Sequence, residues 1–110
     1  MDMKTEEYPK LNVNWPIMVL TGDKIITGET RNITVKGMLI NCDKPLKVDS
    51  NYQISIKPPD HRGVEIEHRV IWSNSEKIPH GLGMCFAKVA SKDSKLLKNL
   101  VSLYFRRSTE

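Results

Sequence analysis

Asn32, Thr34 and Gly37, flanked by Arg31 and Lys36, are the residues of this sequence whose types and spacing suit ligand chemistry. Asn32 and Thr34 lie two apart on an extended segment, so they point to the same side, and each can donate or accept hydrogen bonds. Gly37 permits a positive φ or a close approach of the backbone to a neighbour. Arg31 and Lys36 add cationic donors. Such a polar, cationic, glycine-containing turn suits the cradling of a phosphate or a purine edge. It equally suits an ordinary turn in which Asn and Thr bond their own backbone. Spacing alone leaves both readings open.

Catalytic and metal chemistry finds little support. His61, His68 and His80 have no metal-ligand spacing among themselves or with Cys42 and Cys85. There is no G-x-S-x-G, no P-loop and no H-E-x-x-H. Glu65 and Glu67 share the outward face of one strand, where exposure keeps two carboxylates from dividing acid and base roles. The expectation is a non-enzyme with no catalytic residue, no metal and no cofactor. His68 is expected to be a satisfied core histidine, and the two cysteines buried free thiols in a reduced compartment.

Asn32-Ile33-Thr34 also matches the N-glycosylation triplet. Met1 to Glu7 is charged and no apolar segment follows it, so no secretory signal is expected. No apolar run approaches the roughly 20 residues that cross a bilayer. The expected location is the cytoplasm, without membrane insertion. The net charge of +4 leans mildly toward anionic partners.

The elements that position these residues follow from period-two alternation. Val13, Trp15, Ile17 and Val19 share one face of a first strand, and Thr21-Gly22-Asp23 supplies a turn into a second strand over Lys24–Ile33. Gly37–Cys42 is a third strand. Asp43–Ser50 is a connection in which Leu46 and Val48 are expected to plug the core. Tyr52, Ile54 and Ile56 mark a fourth strand that Pro58-Pro59 stops. Val64, Ile66, His68, Val70 and Trp72 form the predicted inner face of a long fifth strand. After a polar loop over Asn74–His80, Leu82, Met84 and Phe86 alternate with small residues in a sixth, and Phe86 is read as inward.

Only the end changes period. Leu96, Leu97, Leu100, Val101, Leu103 and Tyr104 lie at helical spacing behind Ser91 as N-cap, with Asp93 in the first turn and Arg106-Arg107 near the end. This helix is expected to cap the barrel or pack on a partner. The fold class is therefore all-β: a six-stranded antiparallel β-barrel with a C-terminal α-helix. The predicted organisation is a flexible N-terminal arm over 1–10, a barrel over 11–90 and a helix over 91–107. Folding the first hairpin about Gly22-Asp23 makes opposed residue numbers sum to about 45. Val13 then faces Asn32, Leu11 faces Thr34 and Lys10 faces Val35, which brings the arm beside the Asn32–Gly37 turn.

The sequence resembles the PilZ domain, a bacterial module associated with cyclic-di-GMP. The similarity runs from about Tyr8 to Arg107. It includes Val13-Asn14-Trp15-Pro16-Ile17, Asn32-x-Thr34-x-x-Gly37, Val70-Ile71-Trp72, Gly81-Leu82-Gly83-Met84-x-Phe86 and the closing helix. The resemblance implies a six-stranded barrel with a C-terminal helix and a dinucleotide held between the turn and the arm. Its residues would be Lys10, Arg31, Asn32, Thr34, Lys36 and Gly37. The family's arm carries Arg-x-x-x-Arg, but here Glu6 and Lys10 stand at the two arginine positions. Arginine's fork binds two phosphate oxygens and stacks on a base, whereas lysine offers a point charge. A charged hydrogen bond is worth roughly 1.5–3 kcal/mol. At tenfold per 1.4 kcal/mol, two altered positions weaken binding by something on the order of 100-fold.

Two functional readings follow from the resemblance: a cyclic-di-GMP receptor or adaptor of weakened affinity, or a PilZ-like protein-interaction module that does not bind the dinucleotide. A third, a barrel for single-stranded nucleic acid, needs exposed aromatic platforms. It is set aside because Trp15, Trp72 and Phe86 are all read as inward.

Overall fold

In the computed structural model, residues 10–73 and 83–109 are described, with backbone alone at 83, 84 and 105–109. Strands β1 (Pro16–Leu20), β2 (Ile25–Thr34), β3 (Gly37–Cys42), β4 (Asn51–Ile56), β5 (Val64–Ser73) and β6 (Gly83–Val89) close into an antiparallel barrel of order β1-β2-β3-β6-β5-β4. A 3-10 turn at Ser91–Asp93 leads into α1 (Ser94–Thr109).

Alternating apolar residues build the core. Ile17 and Val19 of β1, Met38 and Ile40 of β3, Ile54 and Ile56 of β4, and Ile66 and Val70 of β5 all point inward. On β6 the inward set is Cys85, Ala87 and Val89, while Phe86 is half-buried on the outer face. This reverses the expected face of that strand. Its neighbours across β3, Met38 opposite Ala87 and Ile40 opposite Cys85, are large and fully buried. A closed small barrel fills by pairing large with small, so β6 turns its small side in.

Two register shifts interrupt the alternation, between Thr30 and Asn32 on β2 and between Val70 and Trp72 on β5. A β-bulge adds one residue and re-aims the side chains that follow. Trp72, expected inside, is consequently 48% exposed. The inward aromatics that argued against a stacking surface thus include two, Trp72 and Phe86, that lie on the outer face.

Other expectations are also adjusted. Leu46 is buried, but Val48 is exposed at the tip of a tight turn closed by Ser50 N–H to Lys47 O at 3.3 Å. Ser91 does not cap α1. Ala90 holds the N-cap position of the 3-10 turn without a side-chain bond. Asp93 instead accepts the Glu67 backbone N–H at 3.1 Å, tying the start of the helix to β5. Leu97, Leu100 and Val101 join the barrel's own core cluster, so α1 is part of the fold.

His68 is fully buried, with Nδ1 3.0 Å from Ile66 O, but Nε2 has no hydrogen-bond partner among the described residues. It is therefore only half satisfied. Burial pushes its pKa below the usual imidazole value. Cys42 and Cys85 are buried free thiols. The hydrogen bond that the Cys42 thiol donates to Cys85, together with burial, pushes the Cys42 thiol well up.

Candidate functional site

The Asn32–Gly37 segment joins β2 to β3 through Val35 and Lys36, with Thr34 opposite Gly37. The Thr34 hydroxyl accepts the Lys36 backbone N–H at 3.1 Å and lies 3.3 Å from Gly37 O, to which it donates. The bland reading of this threonine is thus largely realised: it stiffens its own turn. Gly37 has a specific steric cause. A Cβ there would meet Ala87 O at 2.2 Å, because β6 runs against it, and the backbone adopts no positive φ. Of the two reasons open from sequence, close approach is the operative one. The adjoining Lys36 O accepts Val89 N–H at 2.9 Å.

The bulge in β2 shapes the outer face. Thr30 and Ile33 are fully buried, while Arg31 is exposed and Asn32 half-buried. Two consecutive residues therefore point outward between two that point inward, which strict alternation forbids. The bulge sets Arg31 and Asn32 on the same side as Thr34. The Asn32 carboxamide makes no hydrogen bond among the described residues, so its donors and acceptor are available.

Thr30, which sequence reasoning passed over, anchors the chain entering β1. Its hydroxyl accepts Trp15 N–H at 2.9 Å and donates to Val13 O, its own N–H bonds Trp15 O at 2.9 Å, and Asn14 Nδ2 donates to Thr30 O at 2.8 Å. The β1–β2 pairs follow the expected sum, from Pro16 opposite Glu29 to Leu20 opposite Ile25. At the arm it changes by one. Leu11 pairs with Ile33, exchanging two hydrogen bonds of 2.9 Å, instead of facing Thr34. The extra residue lies in the arm, where four steps from Trp15 to Leu11 stand against three from Thr30 to Ile33. Exposed Lys10 accordingly comes level with Thr34, not Val35. Glu6 lies outside the described residues.

Cross-strand register extends this face. Asn32 stands opposite Leu39, Leu39 opposite Phe86 and Phe86 opposite Trp72. Residues directly opposed on neighbouring strands share a side, so a half-buried leucine and two aromatics form an outer wall beside Asn32. Two residues along, Gly37 stands opposite Lys88 and Lys88 opposite Arg69, a cationic row. Arg69 Nη2 lies 3.7 Å from Asp49 Oδ1. Trp72 escaped sequence reasoning because nothing in Val70-Ile71-Trp72 announces a bulge.

Of the two carboxylates on β5, Glu67 has structural partners. Glu67 bonds Lys92 at 3.0 Å and accepts from Asn51 at 3.0 Å, and the Lys92 ammonium holds its carboxyl below the usual range. Such a group stays ionised and engaged, poorly suited to proton transfer. Among the described residues no group of three or more His, Cys, Asp or Glu side chains could hold a metal ion. No described helix is long and apolar enough to cross a membrane.

Comparison with known proteins gives this geometry a family. The chain superposes on the PilZ domain of YcgR from Escherichia coli, solved with c-di-GMP, with TM-score 0.71 at 10% identity over 93% of this chain and 92% of that one. It superposes on a longer YcgR from Escherichia coli, in complex with c-di-GMP, with TM-score 0.69 at 9% identity, covering 93% of this chain and 46% of that one. The Bacillus subtilis inhibitor of motility (MotI/DgrA) matches with TM-score 0.65 at 16% identity over 94% of this chain and 51% of that one. The chain thus spans about half the length of MotI and of the longer YcgR. No curated protein matches the sequence. The family model of the PilZ domain matches residues 4–103, and the chain belongs to the PilZ domain family.

Proposed function

We propose that this chain is a PilZ-type receptor or adaptor that binds cyclic-di-GMP weakly, in the cytoplasm, and relays its presence to a protein partner. The observation that carries this reading is the bulge-built face: Arg31 and the uncommitted Asn32 carboxamide point outward beside Thr34, between Lys10 and the Leu39–Phe86–Trp72 wall. An amide can read a purine edge, cations meet phosphate, and an exposed indole offers a stacking plane. Two of the solved structures with this fold contain c-di-GMP.

Affinity is reduced by Glu6 and Lys10. Glu6 repels a ligand with two negative charges, and Lys10 lacks the arginine fork. Isothermal titration of the wild-type chain and of the Glu6→Arg, Lys10→Arg double variant tests the reading. The double variant is expected to bind about 100-fold more tightly, and Asn32→Ala to weaken both. Absence of heat at millimolar ligand in all proteins would discard it.

The second reading, an interaction module without the dinucleotide, is favoured by Glu6 and Lys10 at the two arginine positions. It requires a protein-docking surface elsewhere on the domain.

A further inference from the structure

Opposite in character to the polar turn is the exposed flank of α1. Leu96 and Leu103 remain 45% and 42% exposed although Leu97, Leu100 and Val101 on the same helix are buried. With Leu100, Asn99, His61 and Val64 they line a groove of about 140 Å³ between α1 and the segment entering β5. An apolar space of about 150 Å³ accepts a ring the size of benzene, so the groove has room for one large apolar side chain.

The groove is held open by fixed contacts. Tyr104 donates its hydroxyl to Pro59 O at 2.9 Å, and its ring packs edge-on against Trp15 at 4.9 Å and His61 at 6.2 Å. These contacts pin the β4–β5 connection to the helix. A preformed groove costs little ordering on binding.

Charge selects the occupant. The segment Ser91–Thr109 holds Lys92, Lys95, Lys98, Arg106 and Arg107 against Asp93 alone. That is a net charge of +4, equal to that of the whole chain. Exposed Lys95 lies next to Leu96 and one turn before Asn99, and exposed Arg62 follows His61. The barrel rim also carries exposed Asp60 and Glu65. An anionic lipid surface would meet these two acids as well as the lysines, whereas a peptide can place its acids on the helix side only.

We infer that the α1 groove docks an acidic amphipathic segment of a protein partner, seating one large apolar side chain between Leu96, Leu103 and His61 with carboxylates against Lys95. This does not depend on dinucleotide binding, because the groove shares no residue with the Asn32 face.

The test uses the full chain, labelled for amide NMR, and three probes. These are a short synthetic helical peptide with a leucine stripe and glutamates elsewhere, its copy with lysine for glutamate, and vesicles of mixed neutral and anionic phospholipid. The glutamate peptide is expected to give saturable shifts centred on His61, Val64, Leu96, Asn99 and Leu103. Leu103→Glu and Lys95→Glu, both at exposed positions, should each weaken it about tenfold with unchanged melting temperature. The inference is overturned by any of three results: no saturable shift at millimolar peptide, equal binding of the lysine peptide, or shifts of these residues with vesicles but not with peptide.

Discussion

Gly37 and His68 show how much single positions carry. A methyl group at position 37 would press on the Ala87 carbonyl, which β6 cannot withdraw without losing its pairing to β3. Overpacking of this kind costs about 1–3 kcal/mol. Gly37→Ala should lower the urea midpoint accordingly at unchanged slope. His68 bears on pH. Its folded pKa is depressed below the ordinary 6.5 by burial, so as pH falls through that value the unfolded chain gains a proton that the folded chain resists. Stability is therefore full above about 6.5 and declines below it. Glu67, whose carboxyl is lowered by Lys92, acts in a separate window: its contribution is present above 4.5 and is lost as pH falls through its lowered value. Urea titrations at stepped pH should show the first decline in the wild type and not in His68→Leu. A decline that persists in the variant would assign it elsewhere.

At the scale of elements the two bulges decide what the barrel presents. Inner-face alternation was legible for β1 and β4 because nothing interrupts those strands. It failed around Ile71 on β5, where one added residue reset the side-chain direction, and on β6, which turns its small side toward the large residues of β3. Thr30 links the first bulge to the arm. Thr30→Val keeps the buried volume but removes the hydroxyl bonds to Trp15 N–H and Val13 O. The expected loss is about 1–3 kcal/mol, with faster amide exchange at Leu11 and Ile33. The second bulge turns Trp72 outward, and the chain has two tryptophans. In Trp15→Phe the remaining emission comes from Trp72. Saturating cyclic-di-GMP should quench it if the ligand lies on the Phe86–Trp72 wall, and unchanged emission in a variant that still binds would remove that wall from the site.

For the whole molecule, barrel and helix form one core. Leu97 is fully buried within the same cluster as Ile33, Ile66 and Val70. Leu97→Ala should cost about 2–5 kcal/mol, and circular dichroism of helix and sheet should melt in one coincident transition. The Asn32 face and the α1 groove lie on this shared core, with Thr30, Trp15 and Tyr104 in contact between them. That arrangement suits a module that reads one ligand and presents another surface.

The sequence by itself determined the six strands, their antiparallel order along the chain, the terminal helix and the composition of the polar turn. Each of these rests on local periodicity or on a residue type, which a single chain carries in full. Tertiary structure alone decided which face of β6 is inside, that Trp72 faces solvent, that Lys10 comes level with Thr34, and that Leu96 and Leu103 remain uncovered. The physical reason for the first two lies in the barrel, and for the others in which neighbouring element the arm and the helix meet. A bulge or the closure of a barrel sets side-chain direction through the neighbouring strand, and the sequence of one strand does not state how its neighbour will fill the space beside it.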